Sequence, residues 1–348
     1  MKKKQISRRE FLDRTAVTGV ASIASIGLAG NYLSEAVSAR LPREVWIAGL
    51  SQAYVYAETP EKMTQKVLEI LKGLEPYKPD VVCLPEVFAH SHLTKRYTLT
   101  EQVETTMPVL EKFSDFSKQN NCYTICSVVM SRDKKAFNSA VVFDRNGNRA
   151  GVYDKIFLTE YEMDIGLTPG DLFQPVINTD FGKIGVQICF DILWDEGWTM
   201  YRKQGAEIIF FPSAFPGGIQ VNGKAWQNHC VVASSTRNSL SKLCDITGEV
   251  IAQTGADWDT NLYCAPVNLE KAFLHSYPYR DRFNEVKSKY GRKVKIRNFH
   301  EENWSIIESL SPDVQIKDIM KEFDFKTFED HKVSAENYSY LHSKCKGT

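Results

Sequence analysis

The chain has 348 residues, of which 43% are hydrophobic and 25% charged, and its formal net charge at pH 7 is zero. A chain of this length and composition can bury a substantial core, in one large domain or in two modest ones. Outside the first few residues there is no long run of Lys or Arg, which excludes the concentrated basic surface of a nucleic-acid-binding protein.

The first 39 residues have the composition of an export signal. A basic start and an Arg8-Arg9 pair followed by Phe11-Leu12 precede a mildly apolar run over 16–30, and small residues end the segment. This pattern is typical of a twin-arginine signal and predicts a periplasmic or extracellular protein. The run is shorter than the roughly 20 residues of a membrane span, so we expect no stable membrane insertion after cleavage. A basic amphipathic helix is the alternative, and three glycines disfavour it.

Strand-like and helix-like segments alternate along the rest of the chain. Apolar runs and alternating apolar positions predict strands over 45–50, 80–84, 122–130, 136–144, 150–155, 183–190, 207–212, 243–246, 250–253, 293–299 and 304–307. Helical spacing predicts helices over 60–77, 100–120, 195–204, 311–323 and 328–343, and a long polar loop is predicted over 156–171. Two similar halves of this kind favour an α/β fold with two stacked sheets, a four-layer α-β-β-α sandwich. Periodicity alone leaves a three-layer α/β fold open.

The composition changes after residue 269, where aromatic and mixed charged residues become frequent. We therefore predict a catalytic domain over 40–270 and a C-terminal extension over 271–348. The extension is expected to pack on the domain or on a partner subunit, rather than to form a second catalytic domain.

The eight cysteines are scattered and do not resemble a small disulfide scaffold; they lie at positions 83, 122, 126, 189, 230, 244, 264 and 345. Most of them occupy apolar strand-like runs, where buried free cysteine is the ordinary state. None of their spacings is typical of a zinc site, and we predict neither metal nor cofactor.

Three segments place a reactive side chain at the end of an apolar strand. Glu86 follows the strand over 80–84, and partial desolvation there moves a carboxyl pKa toward that of a useful base. Lys155 can hold an ammonium near developing negative charge, and Cys189 precedes a turn into a helix, where a thiolate is favoured. Each residue alone has an ordinary alternative, respectively a capping carboxylate, a solvated lysine and a buried cysteine.

Taken in this order, the segments resemble the nitrilase superfamily of carbon–nitrogen hydrolases, whose members carry a Glu, Lys, Cys triad on such strand ends. The matching motifs are Leu84-Pro85-Glu86, Tyr153-Asp154-Lys155 with Leu158, the run over 185–191 and the run over 205–215, with weaker matches over 225–228 and 245–252. The resemblance covers about residues 43–270. It implies the α-β-β-α sandwich of the nitrilase type and a homodimer or higher homo-oligomer.

The resemblance also implies a mechanism. Glu86 removes the proton of Cys189, the thiolate attacks the carbonyl, and Lys155 with the Phe190 backbone N–H stabilises the oxyanion. Glu86 then protonates the leaving amine and activates water against the thioester. Many members have a second glutamate that orients the lysine; Glu162 fits that role best, Glu160 is its rival, and a solvated loop carboxylate is the alternative.

The residues after the cysteine bear on the substrate. True nitrilases tend to follow it with Trp-Glu, whereas Phe190-Asp191 follows here and favours amides. Phe190, Trp194 and Phe215 predict a rather apolar acyl pocket. We therefore expect a thiol amidohydrolase that acts on a small linear amide or carbamoyl compound. An acyltransferase, a nitrile-hydrolysing enzyme and a non-catalytic binding protein on this scaffold are the alternatives.

Overall fold

The computed structural model describes residues 41–255 and 261–345, with side chains as far as residue 341. The export signal predicted over 1–39 lies outside the described residues. Within the described part of the chain, no helix has both the length and the apolar composition needed to cross a membrane.

The described residues form strands and helices in mixed order. The strands are β1 (Glu44–Leu50), β2 (Val81–Cys83), β3 (Tyr123–Arg132), β4 (Lys135–Phe143), β5 (Arg149–Asp154), β6 (Ile177–Asn178), β7 (Lys183–Val186), β8 (Ile208–Ser213), β9 (Val231–Thr236), β10 (Lys242–Cys244), β11 (Val250–Gln253), β12 (Leu262–Asn268), β13 (Lys271–His275), β14 (Val294–Phe299) and β15 (Trp304–Ser309). The α-helices are α1 (Pro60–Leu71), α2 (Leu99–Glu104), α3 (Thr106–Asn120), α4 (Glu160–Asp164), α5 (Glu196–Lys203), α6 (Ile219–Asn228), α7 (Arg282–Tyr290), α8 (Ile316–Glu322) and α9 (Phe328–Cys345).

Two six-stranded mixed sheets form the centre of the fold. The first has the strand order β12-β1-β2-β3-β4-β5, and the second has the order β11-β10-β9-β8-β7-β6. In each sheet three neighbouring strands are parallel, β1 to β3 in the first and β7 to β9 in the second. The sheets stack face to face with helices outside, so the four-layer α-β-β-α sandwich is confirmed.

Residue alternation in the central strands explains why four layers form. Ile47 and Val81 point into the core between the sheets, whereas their neighbours Ala48 and Val82 pack on the outer helices. Because successive side chains of a strand point to opposite faces, strands that are apolar at every position must be covered on both sides.

The helix α1 shows how the outer layer is specified. The Thr59 side chain accepts a hydrogen bond from the Lys62 N–H at 3.2 Å, and Pro60 occupies the first turn, where its missing N–H costs nothing. Met63, Val67 and Leu71 then form the buried stripe that packs on the first sheet.

The C-terminal extension has its own sheet, with the strand order β13-β15-β14, and its own apolar core with α7 and α8. Its aromatic side chains pack on α6, with the Trp226 and Trp304 rings 3.6 Å apart and the His229 ring stacked on Phe273 at 4.1 Å. Lys271 also pairs with Asp245 in the β10–β11 turn. The hairpin predicted over 293–307 is confirmed as β14 and β15, and β13 was not predicted.

Three sequence predictions need correction, and some elements were not predicted. The helix predicted over 100–120 is divided into α2 and α3, because the Thr105 and Thr106 hydroxyls hydrogen bond to carbonyls of the preceding turn. The loop predicted over 156–171 contains α4. The strand predicted over 183–190 ends at Val186. The helices α6 and α7 and the strand β9 were missed; α6 connects β8 to β9 in the second sheet.

Candidate active site

The glutamate predicted as the base lies at the carboxyl end of β2. Its side chain is only 2% exposed. The next residue, Val87, has a φ of 44°, a left-handed conformation that is costly for a β-branched side chain. The Val87 N–H donates a hydrogen bond to the Ser127 hydroxyl at 3.2 Å, which helps to hold this strained turn. The strand end therefore directs Glu86 into the interior instead of toward solvent.

Lys155 follows β5 and is buried to 1% exposure. Its backbone N–H donates to the Asn138 carbonyl at 2.9 Å, which extends the pairing of β4 and β5 by one residue. Its Nζ lies 3.0 Å from Glu86 Oε1 and 2.9 and 2.8 Å from the two carboxylate oxygens of Glu162. Burial alone lowers the pKa of this lysine, but the charges of Glu86 and of its other acidic neighbours reverse the effect, so the pKa is raised.

Glu162 is positioned by the short helix α4. Its backbone N–H bonds to the Thr159 hydroxyl at 3.2 Å while its carboxylate accepts the Thr159 N–H at 2.9 Å, a capping box. The structure thus places Glu162 beside Lys155, whereas Glu160 is exposed on the same helix. Asn138 in β4 bridges the two glutamates, because its Nδ2 donates a hydrogen bond to Glu86 Oε1 at 2.8 Å and another to Glu162 Oε1 at 2.9 Å.

Cys189 lies three residues beyond the end of β7, as the first residue of a 3-10 helix over Cys189–Leu193. Its φ is 49°, a second left-handed residue at the site, and its side chain is 8% exposed. Burial and the negative charge of Glu86 raise the pKa of the thiol to about 12, against the opposing effects of Lys155 and of hydrogen bonds from the Ala214 backbone and the Ser213 side chain. This environment favours the protonated thiol, in contrast to the thiolate expected from the sequence.

Asp191 fixes the turn that carries the cysteine. Its carboxylate accepts hydrogen bonds from the Tyr153 hydroxyl at 2.7 Å and from the Phe157 and Ile188 N–H groups at 2.8 Å each. These bonds attach the cysteine turn to the segment that carries Lys155. Complete burial nevertheless raises the pKa of Asp191 to about 6, although the three donors oppose that shift.

Arg237 is a third charged residue at a strand end of this site, and the sequence analysis missed it. It follows β9, and its Nη2 lies 3.0 Å from Glu86 Oε2 while its Nη1 donates to the Ser91 hydroxyl at 3.2 Å. Burial alone raises the pKa of Glu86, but Lys155 and Arg237 outweigh it and lower the pKa to about 2. The prediction of β9 would have revealed Arg237, because it completes the pattern of charged residues at parallel strand ends.

These side chains share one cavity of about 590 Å³. Glu86, Asn138, Lys155, Glu162, Cys189 and Arg237 all line it, together with Val129, Ile165, Leu167 and Ala214. A carboxylate, an ammonium and a thiol around one cavity can carry out nucleophilic catalysis by general acid–base chemistry. Within the described residues no cluster of three His, Cys, Asp or Glu side chains is suited to a metal ion, and the absence of a metal stays a prediction.

The aromatic residues predicted to line the acyl pocket lie elsewhere. Trp194 stacks on Phe157 with ring centroids 4.2 Å apart, and Phe190 contacts Trp194 edge-on at 5.1 Å. Phe215 is partly exposed and contacts Phe211. None of the three predicted residues lines the cavity, whose lining includes Tyr97 and Tyr161 besides aliphatic side chains. The stacking of Trp194 on Phe157, with Phe190 edge-on to Trp194, accounts for the difference at these two residues.

Comparison with known proteins gives a match to the profile of one family, described as Carbon-nitrogen hydrolase, over residues 47–272. The chain is 30% identical to a hydrolase of Schizosaccharomyces pombe over 199 residues, which is 53% of this chain and 61% of that protein. It is 26% identical to the omega-amidase of Xenopus tropicalis over 59% of this chain and 82% of that protein. The matched segments span between 41% and 61% of the lengths of the first four curated relatives.

The fold is also similar to solved structures. A carbon-nitrogen hydrolase from Helicobacter pylori superposes with a TM-score of 0.57 at 21% identity, over 72% of this chain and 94% of that chain. At this identity the likeness shows the shared sandwich.

Proposed function

Because the chain belongs to the carbon-nitrogen hydrolase family, we propose that it hydrolyses the C–N bond of a linear non-peptide amide or carbamoyl compound through a thioester on Cys189. The observation that supports this most is the shared cavity, in which Glu86, Lys155 and Cys189 meet from both sheets. The curated relatives include an omega-amidase, which is consistent with amide chemistry.

The reaction begins with transfer of the Cys189 Sγ proton to Glu86, and the thiolate then attacks the carbonyl carbon. The oxyanion is stabilised by Lys155 Nζ and by the Phe190 backbone N–H. When the C–N bond breaks, Glu86 returns its proton to the leaving amine or ammonia. Glu86 next takes a proton from water, whose hydroxide attacks the thioester; the carboxylic acid leaves and the thiolate regains the proton.

The electrostatics of the cavity support these roles. The raised pKa of Lys155 keeps its ammonium charged at neutral pH, so a fixed cation stands where the oxyanion develops. Oxyanion donors of this kind each contribute about 3–4 kcal/mol to transition-state stabilisation in other enzymes. The lowered pKa of Glu86 keeps its carboxylate ionised at neutral pH, and the same shift makes it a weaker base than the partly desolvated carboxylate expected from the sequence.

The test uses purified protein without residues 1–39, offered a panel of amides, carbamoyl compounds and nitriles while ammonia and amine release are followed. We expect Cys189→Ala to lose turnover and to retain the thermal stability of the wild type. Cys230→Ala is the matched control, since Cys230 is equally buried but does not line the cavity. Turnover that survives in Cys189→Ala would exclude the thioester mechanism.

A second measurement separates hydrolysis from acyl transfer. Hydroxylamine added to the reaction intercepts a thioester and yields a hydroxamate. The amount of hydroxamate is then compared with the amount of free acid. A hydrolase gives mainly acid in water alone, whereas an acyltransferase gives product only when an acceptor is present.

A further inference from the structure

We propose that the rim of the cavity binds a negatively charged group of the substrate, so that anionic amides are preferred, with Arg96 as the binding residue. This inference rests on the proposed function, since it concerns the substrate of the same site. It starts from an imbalance of charge. Four cationic side chains line the cavity, Lys95, Arg96, Lys155 and Arg237, against the carboxylates of Glu86 and Glu162.

The two carboxylates are already engaged at the deep end of the cavity. Glu162 pairs with Lys155, and Glu86 pairs with both Lys155 and Arg237. The positive charge that remains uncompensated within the cavity therefore belongs to the rim. A cavity with charge of one sign attracts ligands of the opposite sign and raises their local concentration.

The two rim cations differ in their partners. Lys95 forms an ion pair with Glu101 at 2.6 Å, so its charge is compensated outside the cavity. Arg96 has no carboxylate or hydrogen-bond partner within the described part of the chain; its guanidinium lies over the Tyr161 ring, 5.4 Å from the centroid. Ring contact occupies the face of a guanidinium and leaves its N–H edge available. That edge matches a carboxylate, which it can bind through two parallel hydrogen bonds.

The position of Arg96 also fits a substrate that spans the cavity. Tyr161, on which the guanidinium lies, precedes Glu162 in α4, and Glu162 holds Lys155. The rim cation and the oxyanion cation are thus supported by adjacent residues of one short helix. A ligand whose amide reaches Cys189 can place a carboxylate at Arg96, because both residues line the same cavity and Arg96 is one of its exposed members.

Binding to the Cys189→Ala variant tests this directly, because it needs no turnover. Isothermal titration compares succinamate and N-acetylalanine with their methyl esters, which have the same amide but no charge. We expect the two anions to bind about five- to tenfold more tightly at low salt, and the preference to shrink as salt is added. A second substitution, Arg96→Gln, should abolish the preference, whereas Arg292→Gln, an exposed arginine outside the cavity, should leave it intact.

The outcomes are separable from those of the proposed function. Equal binding of acids and esters, a preference that survives Arg96→Gln, or no binding of either anion overturns the anionic rim. None of these results depends on whether the wild type hydrolyses amides. In the enzyme with Cys189 intact, Arg96→Glu should in addition move the kcat/KM preference from succinamate toward the cationic 4-aminobutanamide.

Discussion

The ion pair between Arg237 and Glu86 makes a prediction about the pH dependence of activity. Glu86 accepts the thiol proton only when ionised, so kcat/KM falls as the pH drops through the pKa of Glu86. In the wild type that pKa is lowered to about 2, and no loss of activity from this group is expected between about pH 4 and 8. Arg237→Gln removes one of the two cations that lower it.

The size of the effect follows from the contact. Two unit charges 3.0 Å apart interact by about 5–6 kcal/mol at an effective dielectric constant of about 20, which is an upper limit. The Arg237 side chain is 29% exposed, so solvent screens part of this interaction. An opposite charge at such a distance typically lowers a carboxyl pKa by about 1–3 units, or about 1.4–4 kcal/mol. In the variant the pKa of Glu86 should therefore rise to between about 3 and 5.

The assay is the kcat/KM profile between about pH 3 and 8, with circular dichroism at each pH to confirm that the protein stays folded. Arg237→Gln should show an acid limb that the wild type lacks, while Arg237→Lys, which keeps the charge, should resemble the wild type. An identical acid side in wild type and Arg237→Gln would refute the assignment of Glu86 as the base whose charge Arg237 stabilises.

Three further predictions concern positioning and packing. Glu162→Gln should lower kcat about 10²-fold with little change in KM, because the Lys155 ammonium loses one of the two carboxylates that hold it. Steady-state kinetics determines kcat and KM separately. Asp191→Asn replaces one carboxylate oxygen by an N–H donor, which then faces one or two of the three N–H and O–H groups that Asp191 accepts from. The free energy of unfolding in urea titration should fall by about 1–3 kcal/mol, and an unchanged midpoint would contradict the role of Asp191 in the cysteine turn. Gly185→Ala places a Cβ 2.6 Å from the buried Tyr201 ring and should destabilise the protein by about 1–3 kcal/mol. Gly223→Ala, inside α6, meets nothing within 4 Å and should stabilise the protein by up to about 1 kcal/mol. Equal melting temperatures of the two variants would be inconsistent with both expectations.

The strand ends that carry the reactive groups could be predicted because local sequence specifies them. Apolar runs followed by Glu86, Lys155 and Cys189 identify three strand ends; β2 is parallel to β1 and β3, and β7 to β8, whereas β5 pairs antiparallel with β4. Glu162 depended on the family resemblance, since the five residues of α4 are too few to show helical periodicity. The capping box with Thr159 is the one local signal for that helix.

What the sequence analysis missed depends on contacts between distant segments. In the sequence, Asn138 is one polar residue in an apolar strand. Its hydrogen bond to Glu86 forms only when β4 lies near the end of β2. Arg237 follows a strand that was not recognised. Phe190 and Trp194 do not line the cavity because Trp194 stacks on Phe157 from another segment and Phe190 contacts Trp194 edge-on. Neither contact follows from an alternating pattern.

The division of the candidate site between the two sheets has a consequence for refolding. Glu86 and Lys155 belong to the first sheet, whereas Cys189 and Arg237 belong to the second. A chain in which only one sheet has formed holds half of the reactive groups, whatever its content of secondary structure. Recovery of catalysis after dilution from denaturant should therefore lag behind the far-ultraviolet signal and coincide with docking of the sheets, which makes turnover a kinetic probe of that late step.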